Sequence, residues 1–193
     1  IDILTSHIKA CIATICEVFL YFYEHQEHIA LILVVMITIV TGEKDSGKSS
    51  YLQNWYTSDP VGCGILSQKV IRNNLVAGYD MLLLPSLVKM PLCRTPNHLE
   101  DLQTTDTITQ GRFTFSASTF QEAISQTMPL LLCSDTFWLD EIGQLELNNA
   151  GYAPLLHFAI MQCCNLRLGV RLSLLPDIIE RFDLHACQII KLS

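Results

Sequence analysis

Charge, basic clusters and long apolar runs are all scarce in this sequence of 193 residues. Only 16% of the residues are charged and 50% are apolar, which excludes an intrinsically disordered chain. Acidic residues outnumber basic ones, 19 to 12, and no run of Lys or Arg offers the basic face that nucleic-acid binding requires. Nucleic acid is therefore not expected as a partner.

The apolar segments near the N-terminus fall short of a membrane span. Ile8 to Tyr23 and Ile29 to Val40 are separated by polar residues, and a spanning helix needs about 20 consecutive apolar residues. Apolar residues at three- and four-residue steps predict a helix, Ile3 to His25, within an N-terminal extension of residues 1–34. We expect this helix to pack on the following domain, on a second subunit or on a partner protein. The alternative is association with a membrane.

The eight cysteines form no C-x-x-C pair, and the six histidines do not stand beside them at zinc-like spacings. Most lie in apolar surroundings, as buried thiols do. This usage predicts reduced thiols in a cytoplasmic protein. The chain begins at Ile1 and not at a methionine, as a piece of a longer or processed protein would.

A phosphate-loop (Walker A) pattern follows the first predicted strand. The apolar, β-branched run Ile32 to Val40 reads as a strand buried on both faces, and Lys48 to Tyr56 reads as a helix. The segment between them fits G-x-x-x-x-G-K-[ST], in which backbone N–H groups surround phosphates and a lysine reaches the β- and γ-phosphates. The predicted nucleotide-binding residues are Gly42, Glu43, Lys44, Asp45, Ser46, Gly47, Lys48, Ser49 and Ser50.

Two acidic side chains, Glu43 and Asp45, stand inside this loop. Because the phosphates are held by backbone groups, we expect both side chains to point outward into water, and Lys44 partly offsets their charge. The repulsion between each acidic side chain and the phosphates then costs about 1 kcal/mol or less. This cost is small against the combined contacts of the phosphates with the backbone N–H groups, Lys48 and the metal ion.

A second predicted strand, Thr136 to Leu139, ends in Asp140 and Glu141 (a Walker B pattern). Side chains at the C-terminal end of a parallel strand lie where α/β sheets bind ligands. Ser49 and Asp140 are the predicted ligands of Mg²⁺, and Glu141 is the predicted group that polarises the attacking water. Arg171 is predicted to end another strand at the same sheet edge, either sensing the γ-phosphate or pairing with an acidic neighbour.

The loop and the segment "WLDEIGQLEL" together resemble the P-loop nucleoside-triphosphatases of the thermostable and cancer-related type, which carry a phosphate loop and then D-E-I-G-x-[ML]-E. Val61 to Leu84 is similar to the hairpin of that family. Gly111 to Ile124 is similar to its short strand and helix, and Gly169 to Ser193 to its closing elements. The resemblance covers most of Met36 to Ser193. It implies Mg²⁺-dependent hydrolysis of nucleoside triphosphates to diphosphates with modest base selectivity.

The expected fold of residues 35–193 is an α/β three-layer P-loop domain. It has a mainly parallel sheet, helices on both faces and a small antiparallel hairpin inserted after the first helix. The hairpin should turn at Asn73-Asn74, since Asn tolerates the left-handed backbone of such turns. Pro91 to Gln110 is polar and irregular and is expected to be a lid or a disordered loop. Arg94 and Arg112 are expected to be ordinary surface arginines, and stabilisation of transition-state charge on the phosphates is the less favoured alternative for each.

The predicted function is therefore hydrolysis of nucleoside triphosphates, with Lys48, Glu141 and Arg171 as the catalytic candidates. Two alternatives share the loop. In a nucleoside or small-molecule kinase, an organic hydroxyl would replace water as the acceptor. In a nucleotide-binding switch or adaptor, turnover would be negligible.

Overall fold

The described part of the chain, residues 35–102 and 104–193 of a computed structural model, contains a mixed α/β domain. Its strands are β1 (Ile37–Gly42), β2 (Cys63–Arg72), β3 (Leu75–Leu84), β4 (Lys89–Arg94), β5 (Thr107–Gln110), β6 (Phe113–Ser116), β7 (Thr136–Ile142), β8 (Asn165–Arg171) and β9 (Gln188–Leu192). Its helices are α1 (Lys48–Ser58), α2 (Ala117–Leu131), α3 (Gln144–Leu147), α4 (Ala153–Met161) and α5 (Leu175–Phe182).

The described strands form one sheet in the order β5-β6-β4-β3-β2-β7-β8-β1-β9. The pairings from β2 through β7, β8 and β1 to β9 are parallel, and those from β5 through β6, β4 and β3 to β2 are antiparallel. The prediction of a mainly parallel sheet with a small hairpin insertion is therefore wrong. The antiparallel strands continue the same sheet, because β2 pairs with β3 on one side and with β7 on the other.

Helices cover both faces of this sheet, as the alternation of buried residues along each central strand dictates. On one face, Val40, Leu66 and Trp138 pack with Leu52 and Tyr56 of α1. On the other face, their neighbours in sequence pack with α2, α4 and α5, in a cluster that includes Ile39, Ile65, Leu139, Phe120, Leu155 and Ile178. The predicted arrangement with helices on both faces is confirmed.

The local turn prediction is also confirmed. Asn73 and Asn74 join β2 to β3 with φ values of 49° and 60°, the left-handed backbone that a two-residue hairpin turn requires. By contrast, the segment Pro91 to Gln110 is not an irregular lid. It contributes to β4 and β5, with a 3₁₀ segment between them. Pro91 is accommodated where the β3–β4 register shifts, so its missing N–H does not end the strand.

The predicted helix Ile3 to His25 and the extension 1–34 lie outside the described residues. Within the described residues, no helix has both the length and the apolar character needed to cross a bilayer.

Candidate functional site

The phosphate-loop segment connects β1 directly to α1, as the sequence predicts. Gly42 is the last residue of β1, Gly47 adopts φ 89° at the N-terminus of α1, and Lys48 is the first helical residue. A side chain at position 42 would collide with Ser46 and would lie 2.9 Å from the carbonyl oxygen of Leu192. The loop entry is therefore shaped for glycine.

The side chain of Lys48 bonds to the backbone at the start of the loop. This side chain is buried, and its Nζ donates hydrogen bonds to the carbonyl oxygens of Gly42, at 3.1 Å, and Glu43, at 2.8 Å. A lysine ammonium has three N–H donors, so one remains for a ligand at the loop.

The two acidic residues of the loop are exposed to solvent. Asp45 forms an ion pair with Lys69 of β2, with 2.5 Å between Oδ1 and Nζ. The hydrogen bond and charge of Lys69 lower the pKa of Asp45 below its ordinary value. The negative charge in the loop is therefore partly neutralised by a residue from the antiparallel part of the sheet.

Asp140 and Glu141 occupy opposite environments although they are adjacent in sequence. Asp140 is 1% exposed, whereas Glu141 is exposed and borders a cleft. The β7–β8 register shifts between Leu139 and Ile142, and Glu141 has φ 62°, so a bulge turns it out of the sheet. A left-handed backbone at a residue other than glycine costs about 1 kcal/mol or more and is concentrated at functional sites.

The Asp140 carboxylate accepts hydrogen bonds from the backbone N–H groups of Glu141, at 2.9 Å, and Ser67, at 3.4 Å. The Ser49 hydroxyl is a third polar group near this carboxylate. Burial, followed by the charge of Glu141, raises the pKa of Asp140 to about 7, and the hydrogen-bonding groups of Ser49, Glu141 and Ser67 oppose this rise. Gly169 of β8 makes room for the carboxylate, since a Cβ there would collide with Asp140 Oδ1.

β8 lies between β1 and β7 and carries Arg171 at its end. The register pairs Arg171 with Gly42, which places it between the phosphate loop and the two acids. Arg171 is exposed and borders the same cleft as Lys48 and Glu141. Among the described residues it makes no ion pair, which leaves its guanidinium available to a ligand.

These residues share a cleft of about 720 Å³, within the range of small-molecule sites. Among the described residues, basic side chains at its border outnumber acidic ones, although the whole chain has a net charge of −7. The cleft is thus suited to an anion. The basic residues are Lys44, Lys48, Lys69, Arg112 and Arg171, and the acidic ones are Asp45, Glu141 and Glu146.

Glu146 supports the turn that follows Glu141. It is 3% exposed, and its carboxylate accepts hydrogen bonds from the N–H groups of Gly143, at 2.8 Å, and Tyr152, at 3.0 Å. It therefore fixes the backbone that carries Glu141, while burial raises its own pKa.

Sequence reasoning missed Lys69, Ser67 and Tyr79, and for Arg112 it favoured a surface role over a contact with the phosphates. These residues reach the cleft from β2, β3 and the β5–β6 turn, and no local pattern marks them. Arg94 differs from both of its expected roles. It is buried and bonds to the carboxylates of Asp80, at 2.6 Å, and Asp101, at 3.0 Å.

The predicted ligands of Mg²⁺ have the appropriate chemistry. Ser49 and Asp140 bring a hydroxyl and a carboxylate together at the loop, and Mg²⁺ in nucleotide sites is held by one or two such groups together with substrate phosphates. Within residues 35–102 and 104–193, no cluster of three or more His, Cys, Asp or Glu side chains is placed to hold a metal ion. The pair therefore fits a metal that arrives with a phosphate ligand.

Comparisons with protein-family models, with curated proteins and with solved structures gave no match.

Proposed function

We propose that this protein hydrolyses nucleoside triphosphates to diphosphate and phosphate, with Mg²⁺ and with modest base selectivity. The observation that carries the proposal is the convergence of Lys48, Ser49 and Glu141 at one cleft bordered mainly by basic side chains, with Asp140 buried close to Ser49. The same residues carry the resemblance to P-loop nucleoside-triphosphatases. The three-layer P-loop fold of that family is part of the proposal, and the strand–loop–helix order with helices on both faces supports it.

The loop supplies phosphate binding. Backbone N–H groups from Gly42 to Ser49 and the positive end of the 11-residue helix α1 attract phosphate oxygens. Lys48 donates its remaining N–H to the β- and γ-phosphates. Ser49 and Asp140 would hold Mg²⁺, which when bound neutralises charge on the phosphates.

Glu141 is proposed to orient the attacking water and to accept its proton. The water oxygen bonds to the γ-phosphorus, the bond from that phosphorus to the bridging oxygen breaks, and the electron pair stays on the diphosphate. The bulge at Glu141 supports this role, because it exposes the carboxylate while Asp140 stays buried. Arg171 is proposed to sense the γ-phosphate from the strand between the loop and the acids.

The test is phosphate release from ATP, GTP, CTP and UTP with Mg²⁺, for the wild-type protein and for Glu141→Gln. We expect release from several nucleotides and a loss of at least about 100-fold in the variant. Glu180→Gln, which changes an exposed carboxylate of α5 that does not border the cleft, should retain wild-type rates.

Wild-type protein that binds nucleotide and releases no phosphate would overturn the hydrolase proposal. A phosphorylated product that appears only with an added hydroxyl compound would then identify a kinase. Binding without either product would identify a switch.

A further inference from the structure

Arg112 is presented to the cleft by a tight turn. Gln110 of β5 pairs with Phe113 of β6, so the turn between the strands consists of Gly111 and Arg112 alone. Gly111 has φ 59°, a conformation that glycine adopts without strain. The backbone position of Arg112 is therefore fixed by strand pairing and not by a long loop.

The Arg112 side chain packs against the ring of Phe113. The Cζ atom of Arg112 lies 4.8 Å from the centroid of the Phe113 ring, within the range of cation–π contacts. Tyr79 of β3 meets Phe113 edge to face, with 5.5 Å between the ring centroids. This stacking orients the guanidinium before a ligand arrives and reduces the entropy lost on binding.

Arg112 lies close enough to the loop for its charge to act there. Arg112 borders the same cleft as Lys48 and Glu141. The pKa of Asp45 is lowered first by Lys69 and, more weakly, by the charge of Arg112. Burial, followed by the charges of Glu141 and Asp45, raises the pKa of Tyr79 to about 12, and Arg112 opposes that rise.

Among the residues that the structure describes, Arg112 also has no counter-ion. Arg72 and Arg94 are ion-paired with carboxylates, whereas Arg112 makes no ion pair within the described residues. An arginine at a cleft that already holds Lys48 increases the local positive charge. An anionic ligand is what would stabilise this arrangement.

We propose that Arg112 contacts the γ-phosphoryl group of the bound nucleoside triphosphate and stabilises its charge during transfer to water; this rests on the proposed function. The guanidinium donates N–H groups to the equatorial oxygens of the γ-phosphorus while the bond to the bridging oxygen breaks and the bond to water forms. Phe113 acts as a positioning residue through Arg112. A diphosphate has no group at this location, so Arg112 distinguishes triphosphate from diphosphate.

The first test measures binding of ADP and of the non-hydrolysable β,γ-imido analogue of ATP to wild type, Arg112→Ala and Arg112→Lys. We expect Arg112→Ala to weaken the affinity for the analogue about 10-fold and the affinity for ADP less than 2-fold. Arg112→Lys should have an affinity for the analogue between those of wild type and Arg112→Ala. Arg181→Ala, an exposed arginine of α5 outside the cleft, is the control and should change neither affinity. Equal weakening of both nucleotides by Arg112→Ala, or of neither, would overturn the proposal.

The second test measures turnover. Arg112→Ala should lower kcat by about 100-fold or more and change KM little, because the contact forms fully in the transition state. Phe113→Leu should lower kcat about 10-fold, and Phe113→Tyr, which keeps an aromatic ring, should restore it. Active wild type with an unchanged kcat in Arg112→Ala overturns only the role of Arg112. Inactive wild type overturns hydrolysis, and the difference between ADP and the analogue then decides whether Arg112 contacts the γ-phosphate.

Discussion

The backbone N–H of Glu141 donates a 2.9 Å hydrogen bond to the carboxylate of Asp140, its neighbour in the sequence. This contact is made where the bulge of β7 leaves Asp140 inside the sheet and turns Glu141 toward the cleft. Two adjacent carboxyl groups thereby acquire different surroundings, and different surroundings are how enzymes give similar groups separate roles.

Replacing Glu141 should raise stability while it removes activity. Glu141→Gln removes the like charge beside Asp140, and Glu141→Asn additionally suits the left-handed backbone at φ 62°. We expect the free energy of unfolding at pH 8 without metal to increase in the order wild type, Gln, Asn, by about 1 kcal/mol in total. Urea unfolding measures the order. A less stable Asn variant would contradict the strain assigned to this residue.

Asp140 should give the metal-free protein a pH dependence of stability. Its pKa is raised from 3.8 to about 7, so between these pH values the folded protein retains a proton that the unfolded chain has released. Stability therefore falls as pH rises through this window and levels off above it, with a contribution of roughly 2 kcal/mol between pH 5 and pH 8. The measurement is urea unfolding of wild type and Asp140→Asn with a chelator present.

Asp140→Asn has no titrating group at this position, so its free energy of unfolding should not show the decrease with pH that Asp140 causes. Glu146, whose pKa is also raised, contributes equally to both proteins and cancels in the comparison. Parallel pH profiles for the two proteins would show that Asp140 is ionised to the same extent in the folded and unfolded states.

Local signals in the sequence predicted the elements around the loop well. The run from β1 through the loop to α1 and the Asn73-Asn74 turn depend on residues close together in the chain, and the structure has both. The acids Asp140 and Glu141 lie at the end of a strand, as predicted. The opposite exposure of these two side chains could not be predicted, because it depends on a bulge in the pairing of β7 with β8.

Non-local pairing accounts for what the sequence did not reveal. Pro91 begins the segment that was expected to be a lid or a disordered loop, yet a register shift between β3 and β4 accommodates it within a strand. The strands that bring Arg112 and Lys69 to the cleft are distant in sequence from the loop, so no local pattern places these two residues there. Strand direction likewise depends on which strands become neighbours, and local periodicity does not encode that.

Gly169→Ala should damage the site through Asp140. The new Cβ would collide with Asp140 Oδ1 and lie 2.9 Å from Leu52 Cδ1. We expect a loss of about 2 kcal/mol in the free energy of unfolding, together with loss of phosphate release. In an Asp140→Ala background the carboxylate is absent, so the same substitution should cost about 1 kcal/mol less. A double-mutant cycle by urea unfolding measures this coupling. If the effects of the two substitutions on the free energy of unfolding are additive, Gly169→Ala does not act through Asp140.

Lys69→Ala should weaken triphosphate binding by leaving the charge of Asp45 unpaired at the loop. The Asp45–Lys69 pair is largely exposed, so its effect on stability should be small. Its effect on a nearby triphosphate should be larger, because the substitution also removes a positive charge from the border of the cleft. We expect a 3- to 10-fold weaker Kd for the β,γ-imido analogue of ATP, or about 1 kcal/mol, at low salt and less at high salt.

The double variant Asp45→Asn/Lys69→Ala separates the two contributions. Asp45→Asn removes the charge that Lys69→Ala leaves unpaired, so the double variant should recover most of the lost affinity. Arg72→Ala, which breaks the pair with Asp101 away from the cleft, should leave the Kd unchanged. If the double variant binds as weakly as Lys69→Ala, Lys69 contacts the phosphates itself. Recovery instead assigns Lys69 the role of neutralising Asp45, and it explains how a loop proposed to bind phosphate can carry an acidic residue.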